Sequence, residues 1–301
     1  MADEQSPPRW LPFVVLGIGL LAISFGAIFA RLAQGEGLPS LAIAALRLGL
    51  AALIVTPIAW SQSRDSLRAL TRRQLGLAAS AGFFLSLHFA TWISSLEYTS
   101  VASSTALVTT NPIWISLASF VLFRERTSRA TLAGIVVSLL GSLLIFWSDS
   151  HQGAGGNALV GNGLALVGSW CFSAYLLVGR RLRAGMALSG YIFLAYGVAA
   201  VFLVAGCALS GVALTGYSTS AYLAALGLAI GPQLLGHTAY NWSLRYVSPT
   251  FVAVVTLGEP VGSALLAWWL FGEIFAPLQG VGFALLLGGI YLAARGERRR
   301  A

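Results

Sequence analysis

One stretch of otherwise apolar sequence carries polar side chains at helical spacing. Gln233, His237 and Asn241 stand at i, i+4 and i+8, with Tyr240 beside them, so a helix would present them in a single stripe. Amide, imidazole and phenol groups can bind the polar parts of a small solute, and a histidine can also carry a proton. Hydrogen bonds between helices, each contributing on the order of 1 kcal/mol, would explain the same stripe. These residues therefore predict a polar cavity or a polar helix contact.

A second, shorter stripe consists of His88 and Trp92, which stand four residues apart. Trp92 corresponds to Tyr240 at an interval of 148 residues, and that interval recurs elsewhere in the chain. We expect the two helices that carry these stripes to line one interior. Either His88 or His237 could relay a proton, although a neutral buried imidazole with one hydrogen-bond partner is the more ordinary explanation for each.

One acidic and one basic residue lie deep within apolar stretches, namely Glu259 and Arg47. A carboxylate is costly in hydrocarbon, so Glu259 is a candidate for binding a cation or carrying a proton. It could equally pair with Arg47 or, when protonated, bond a backbone carbonyl. If both groups instead face a cavity unpaired, they would form complementary handles for a zwitterion.

Two prolines occupy equivalent places in the chain. Asn111-Pro112 and Glu259-Pro260 are separated by the same 148 residues, and each falls in the middle of an apolar stretch. Proline removes a backbone donor and frees a carbonyl one turn earlier, so a helix can kink or open there. We therefore predict hinges at Pro112 and Pro260, with Asn111 facing the cavity.

The composition indicates the setting in which these residues act. The 301 residues are 57% hydrophobic and 9% charged, which leaves too little polar surface to cover a soluble globule. A helix needs about 20 apolar residues to cross a bilayer. Ten stretches qualify, at 11–33, 39–60, 74–95, 100–123, 128–148, 158–182, 188–210, 218–243, 248–271 and 277–295. The sequence predicts an all-α membrane protein with ten transmembrane helices and no separate soluble domain.

The two halves of the chain match when one is shifted by 148 residues. The matches are clearest where Leu96, Tyr98, Ser100, Pro112, Phe123, Glu125, Gly134 and Gly141 align with Leu244, Tyr246, Ser248, Pro260, Phe271, Glu273, Gly282 and Gly289. Chance similarity between Leu/Ala/Gly-rich helices is the alternative. We divide the chain into a first five-helix repeat, 1–150, and a second, 151–301. Charges of corresponding loops swap between the halves, as Glu97 against Arg245 does, so the second repeat is inverted, an arrangement typical of secondary transporters.

Basic residues define the expected orientation. All 18 are arginines, and most follow the even-numbered helices, as Arg124 and Arg245 do. Because positive charge is retained on the cytoplasmic side, both termini should be cytoplasmic, and we expect the chain to lie in a bacterial cytoplasmic (inner) membrane. The net charge of +8 is largely this bias, so we do not interpret it as a nucleic-acid surface.

Several classes of protein are excluded by missing residues. Without lysine there is neither a Walker A lysine nor a retinal Schiff base. The three histidines, His88, His151 and His237, have no metal or haem spacing, and no nucleophile motif singles out a serine. We therefore expect no enzyme activity, no cofactor and no bound metal.

Aromatic residues within the spans suggest the chemistry of the cargo. Trp92, Trp114, Trp170, Tyr175 and Tyr240 fall where a cavity wall is plausible. Aromatic faces with a few polar tips suit small amphipathic solutes such as amino acids, whose ammonium group can meet a ring face. Packing against lipid or neighbouring helices is the alternative for each of these residues.

The chain resembles EamA-type members of the drug/metabolite transporter (DMT) superfamily. The resemblance lies in Thr110-Asn111-Pro112 with Phe123-Arg124-Glu125-Arg126, in Gly258-Glu259-Pro260 with Phe271-Gly272-Glu273, and in the glycine-rich fifth and tenth helices. It implies two inverted five-helix repeats and transport of a metabolite. The interior aromatics make the chain similar to the YddG-type amino-acid exporters. Unlike the small multidrug members of the superfamily, it has no glutamate within its first helix.

Together these features predict a secondary transporter that exports small amphipathic metabolites, above all neutral or aromatic amino acids, or facilitates their passage, by alternating access. The cavity should lie between helices 1–4 and 6–9, with helices 5 and 10 as packing helices. A proton-coupled exporter of drugs or organic cations is the alternative, followed by a membrane scaffold that transports nothing. The expected partners are the solute and the lipid bilayer. Proton coupling and the choice between a monomer and a weak homodimer stay open.

Overall fold

The computed structural model describes residues 8–124, 127–150, 157–183, 185–271 and 277–298, and all regular structure within these ranges is helical. Ten helical spans follow one another: α1 (Leu11–Ser24 and Gly26–Gly35), α2 (Ser40–Arg68), α3 (Arg72–Ser95), α4 (Val101–Val108 and Asn111–Phe123), α5 (Arg129–Ser150), α6 (Ala158–Arg183), α7 (Leu188–Leu209), α8 (Thr219–Leu228, Ala229–His237 and Thr238–Ser243), α9 (Pro249–Thr256 and Glu259–Phe271) and α10 (Pro277–Arg298). In this part of the chain nine spans are long and apolar enough to cross a bilayer, and α5 contributes a shorter apolar stretch, Arg129–Ile145. The prediction of ten membrane helices is confirmed.

Some residues discussed above lie outside the described ranges. They are Glu125, Arg126, His151, Gly272 and Glu273.

The helices α4 and α9 begin with the same cap and break at the same place. The Ser100 side chain accepts a hydrogen bond from the backbone N–H of Ser103 at 3.0 Å, and Ser248 accepts one from Phe251 at 3.1 Å. Such N-caps satisfy backbone donors that the first turn leaves free. Each span then ends and restarts at the residue before its proline, at Asn111 and at Glu259. Proline suits the first turn of a helix because its missing N–H would have had no partner there.

Two further irregularities belong to only one repeat each. The span α1 is interrupted at Phe25, whereas its counterpart α6 runs without a break. The span α8 contains a π-helical segment, Ala229–His237, that includes Pro232, whereas its counterpart α3 is a continuous α-helix. Segments of π-helix occur frequently at functional sites, since they redirect the side chains that follow them.

The inversion of the repeats is visible where α5 packs on α10. Ser138 Oγ donates to the carbonyl oxygen of Leu286 at 3.2 Å, and these two positions are 148 residues apart. On one side of this contact Gly134 meets Gly289, and on the other Gly141 meets Gly282. The partner number falls as the residue number rises, so equivalent helices run antiparallel. A pseudo-twofold relation therefore joins two inverted repeats, as predicted.

Candidate functional site

A cavity lies where the broken helices meet in the middle of the bundle. Its lining residues are Ile23, Gly26, Arg47, His88, Phe89, Trp92, Val108, Thr109, Asn111, Phe172, Pro232, His237, Tyr240, Thr256 and Glu259. They come from α1–α4, α6, α8 and α9. The expectation that α7 also lines the cavity is not met by the described residues. The free space within the cavity is about 20 Å³, enough for one or two water molecules. This conformation is therefore contracted, and a solute would have to expand the cavity.

Arg47 on α2 is held in a fixed orientation within this interior. Its side chain is 1% exposed, and its Nε donates to Gln233 Oε1 on α8 at 2.8 Å. The guanidinium carbon lies 3.9 Å from the centroid of the Phe89 ring and 5.9 Å from that of Trp92, within the range of cation–π attraction. Nη1 of Arg47 is buried and has no hydrogen-bond partner in the described part of the chain. One donor of the guanidinium is thus anchored while another remains available.

Glu259 lies at the first residue of the second segment of α9 and is 6% exposed. A helix N-terminus favours negative charge, because unpaired backbone N–H groups point toward it. Across the described residues, no ion pair within 4.0 Å joins Glu259 to Arg47. The direct ion pair considered from the sequence is therefore not formed, and both groups line the same cavity.

Two histidines and a phenylalanine form one wall. Phe172 on α6 contacts both, with its ring centroid 4.8 Å from that of His88 and 5.5 Å from that of His237. His88 is tied to α6 by a 3.0 Å hydrogen bond between Nδ1 and the carbonyl oxygen of Gly168. Nδ1 of His237 has no partner among the described residues. His88 thus matches the ordinary structural explanation, whereas His237 retains an unused polar atom.

The cavity contains an excess of unused hydrogen-bond donors. Five buried atoms of its lining residues have no partner among the residues that the structure describes: Arg47 Nη1, Trp92 Nε1, Asn111 Nδ2, His237 Nδ1 and Tyr240 Oη. The carbonyl oxygen of the Asn111 side chain is engaged, since it accepts from Thr256 Oγ1 at 3.1 Å. Buried polar groups are nearly always hydrogen-bonded in native proteins. Their accumulation around one cavity indicates a place for a polar ligand.

Three of the predicted cavity residues belong instead to a hydrogen-bond network beside the cavity. They are Gln233, Tyr175 and Asn241. Tyr175 Oη donates to Asn241 Oδ1 at 2.8 Å, and Asn241 Nδ2 donates to Tyr196 Oη at 3.3 Å. Tyr196 Oη also lies 3.1 Å from Thr238 Oγ1. The two explanations of the stripe on α8 are therefore both realised, because His237 and Tyr240 reach the cavity while Asn241 bonds neighbouring helices.

This network has no polar counterpart in the first repeat. The positions 148 residues before Tyr175, Tyr196, Gln233 and Asn241 are Ala27, Leu48, Leu85 and Ile93, all of them buried. The interior is therefore polar next to the cavity in the second repeat and apolar at the equivalent depth in the first. Because the repeats are inverted, the two regions approach the cavity from opposite ends of the bundle.

Trp114 and Trp170 are not at the central cavity, contrary to the sequence-based prediction. Their rings meet edge to face with centroids 5.5 Å apart, in a groove between α4 and α6 on the outer surface, and Trp170 is 49% exposed. Trp170 precedes the lining residue Phe172 by two positions, which rotates it by roughly 200° around the helix. An apolar span offers no hydropathy contrast that would reveal this register.

Sequence reasoning missed several residues that complete the cavity, above all Phe89, Phe172 and Thr256. Phe89 stands next to His88 and aligns with His237 at the repeat interval, which was the available signal. For Phe172 and Thr256 no pattern distinguished them from other apolar or hydroxyl residues of their helices.

The fold and this cavity define the class of polytopic membrane transporters, and the comparisons agree. The EamA-like transporter family matches residues 6–147 and again residues 159–295. The chain belongs to the EamA-like transporter family, and it is an integral membrane protein. The two matches cover the two repeats separately, as expected for a duplicated unit.

Individual relatives support the family more than any particular substrate. A transporter of Archaeoglobus fulgidus without a characterised function is 25% identical over 302 residues, covering 95% of this chain and 98% of its own length. The YetK transporter of Bacillus subtilis is 23% identical over 202 residues, covering 65% of this chain and 61% of its own length. The thiamine-repressible mitochondrial transport protein THI74 of Saccharomyces cerevisiae is 39% identical over 108 residues, 34% of this chain and only 29% of the yeast protein. A crystal structure that is 20% identical, covering 97% of this chain and all of its own, superimposes with a TM-score of 0.75 and shows the shared fold.

Proposed function

We propose that this transporter moves amino acids or similar small amphipathic metabolites across the cytoplasmic membrane of a bacterium by alternating access. The observation that carries the proposal is a central cavity whose lining combines aromatic faces with five buried polar atoms that lack partners among the described residues. Aromatic rings bind the apolar part of such a solute, and the free polar atoms bind its head group. Both chain termini lie on the cytoplasmic side in this proposal, and the repeats meet near residue 150.

The breaks in α4 and α9 supply the proposed movement. Asn111 and Thr256, one from each broken span, are joined by the 3.1 Å hydrogen bond across the cavity. Bending at Pro112 and Pro260 would open the contracted interior toward one side of the membrane at a time. Because each helix is broken there, one of its segments can rotate while the other stays folded. The small free volume of the present conformation fits a state between the two open ones.

Efflux from reconstituted vesicles tests this function. Vesicles are preloaded with a panel of radiolabelled amino acids, and efflux is compared for the protein, for Trp92→Ala and for Tyr240→Ala. We expect each variant to slow efflux about tenfold, equivalent to roughly 1.4 kcal/mol of lost stabilisation. Trp269→Ala is the matched control, because this tryptophan is 71% exposed on α9. Absence of flux for the entire panel would refute the proposal.

A proton-coupled exporter of organic cations is the second candidate, and Glu259 is the observation that favours it. An acid in an aromatic-lined cavity can exchange a proton for a cationic solute. An imposed pH gradient separates the candidates: acceleration of cation efflux that disappears in Glu259→Gln supports proton coupling. Amino-acid efflux that ignores the gradient supports facilitated diffusion.

A further inference from the structure

We infer that the cavity selects zwitterions, because Arg47 and Glu259 form separate subsites for the carboxylate and the ammonium group of one solute. This inference rests on the proposed function and narrows it. It excludes simple amines and simple carboxylic acids of the same shape as good substrates.

The carboxylate subsite consists of Arg47 and Trp92. Arg47 is positioned by its hydrogen bond to Gln233 and by the Phe89 ring beneath its guanidinium group. Arg47 and Trp92 both line the cavity, and Nη1 of the first and the indole Nε1 of the second are buried donors with no partner among the described residues. Charged donors prefer a carboxylate over any neutral acceptor, and a pre-positioned guanidinium loses little entropy on binding it.

The ammonium subsite consists of Glu259 and the aromatic groups near it. Glu259 and Tyr240 both line the cavity, and among the described residues Glu259 forms no ion pair with Arg47. The Oη atom of Tyr240 has no partner in the described part of the chain. An ammonium group bound here would be paired with the acid and could meet a ring face.

The charge balance of the cavity favours a solute that carries both groups. Arg47 and Glu259 are the lining residues of opposite charge, and the other titratable side chains that line it are His88, His237 and Tyr240. A buried charge is costly unless it is paired. An amine would pair with Glu259 and leave Arg47 unmatched, whereas an acid would do the reverse. A zwitterion pairs with both and adds no net charge to the interior.

Three solutes of one shape test the inference on the intact protein. Leucine, 3-methylbutylamine and 4-methylpentanoate share an isobutyl group and differ in which charges they carry. Each is measured as a ligand of the purified protein in detergent, by the shift in melting temperature, and as a competitor of labelled leucine in vesicles. We expect leucine to bind at least about tenfold more tightly than the other two.

Two variants then separate the subsites. In Arg47→Gln the affinity for leucine should fall, and the affinity for the amine should rise relative to that for leucine. In Glu259→Gln the affinity for the acid should rise relative to that for leucine. Arg64→Gln, at an exposed position near the end of α2, is the control and should leave the ranking unchanged. If a variant fails to fold, the comparison of the three solutes on the wild-type protein still tests the inference.

The outcomes distinguish this inference from the proposed function. If the amine or the acid binds and crosses the membrane as well as leucine does, transport stands and zwitterion selection is wrong. Zwitterion selection would also be wrong if both variants changed the affinities for the amine and the acid, relative to leucine, in the same direction. If none of the three solutes binds or moves, zwitterion selection fails, and the proposed function fails with it only if no amino acid of the efflux panel moves either.

Discussion

Arg47 in the first repeat and Gln233 in the second are joined by a buried hydrogen bond of 2.8 Å. The pair at the equivalent positions, Ala195 and Leu85, is apolar and also buried. A duplicated chain has thus kept its symmetry in the packing helices α5 and α10 and lost it at this pair beside the cavity. The difference matters because a binding site for an asymmetric solute needs different groups on its two sides.

The Arg47–Gln233 bond should contribute to stability. Gln233→Leu introduces leucine, the residue at the equivalent position 85 of the first repeat. It removes the hydrogen-bond acceptor of the charged Arg47 side chain, and loss of such a bond typically costs about 1.5–3 kcal/mol of stability. We expect a lower melting temperature in detergent. Gln62→Leu, at an exposed position on α2, is the matched control, and an equal effect of both substitutions would contradict the prediction.

The helix breaks should be required for transport and not for folding. Pro112→Ala and Pro260→Ala restore a backbone donor and favour straighter spans, so we expect slower flux with a retained elution profile and melting temperature. Pro57 lies within the unbroken helix α2 and is exposed, so Pro57→Ala should leave flux unchanged. Initial rates in vesicles measure the difference. Wild-type rates in both hinge variants would show that the breaks do not move.

The glycines between α5 and α10 should be intolerant of even one methyl group. A Cβ at Gly289 would lie 2.5 Å from the carbonyl oxygen of Gly134, whereas a Cβ at the neighbouring Gly288 would meet nothing within 4 Å. Gly289→Ala should therefore destabilise the protein, and Gly288→Ala should be neutral or stabilise it by up to about 1 kcal/mol, as alanine does in a helix. Thermal unfolding of the two variants measures this. A Gly289→Ala protein as stable as wild type would contradict close helix contact here.

The polar network of the second repeat should admit water more readily than its apolar counterpart. Thr238 and Ala90 are equivalent positions, both half-buried, and Thr238 contacts the network through Tyr196. We expect Thr238→Cys to react with a water-soluble maleimide about tenfold faster than Ala90→Cys, since polar interior groups normally accompany water.

This comparison requires replacing the two buried native cysteines, Cys171 and Cys207, with serine first. The reaction is followed by the mass added per chain over time. Equal labelling rates at the two positions would show that the asymmetry of the repeats does not extend to hydration.

Much of the architecture follows from local sequence. A bilayer requires long apolar helices, so hydropathy alone located the spans, and the 148-residue interval exposed the duplication. Proline imposes its backbone geometry wherever it stands, which explains why the breaks at Asn111 and Glu259 were foreseen. The break at Phe25 was missed because no proline marks it. The π-helical segment of α8 was missed as well, although Pro232 within it was an available signal.

The sequence by itself determined the class of protein, the ten helices, the repeat and the presence of Arg47, Glu259 and the polar stripes within apolar spans. Only the tertiary structure decided which of these residues meet. It placed Trp92 and Tyr240 at the cavity, Trp170 on the outer surface and Asn241 in a network between helices. The reason is that lipid and protein interior are both apolar, so hydropathy cannot tell which face of a membrane helix turns inward; packing against the other helices settles it.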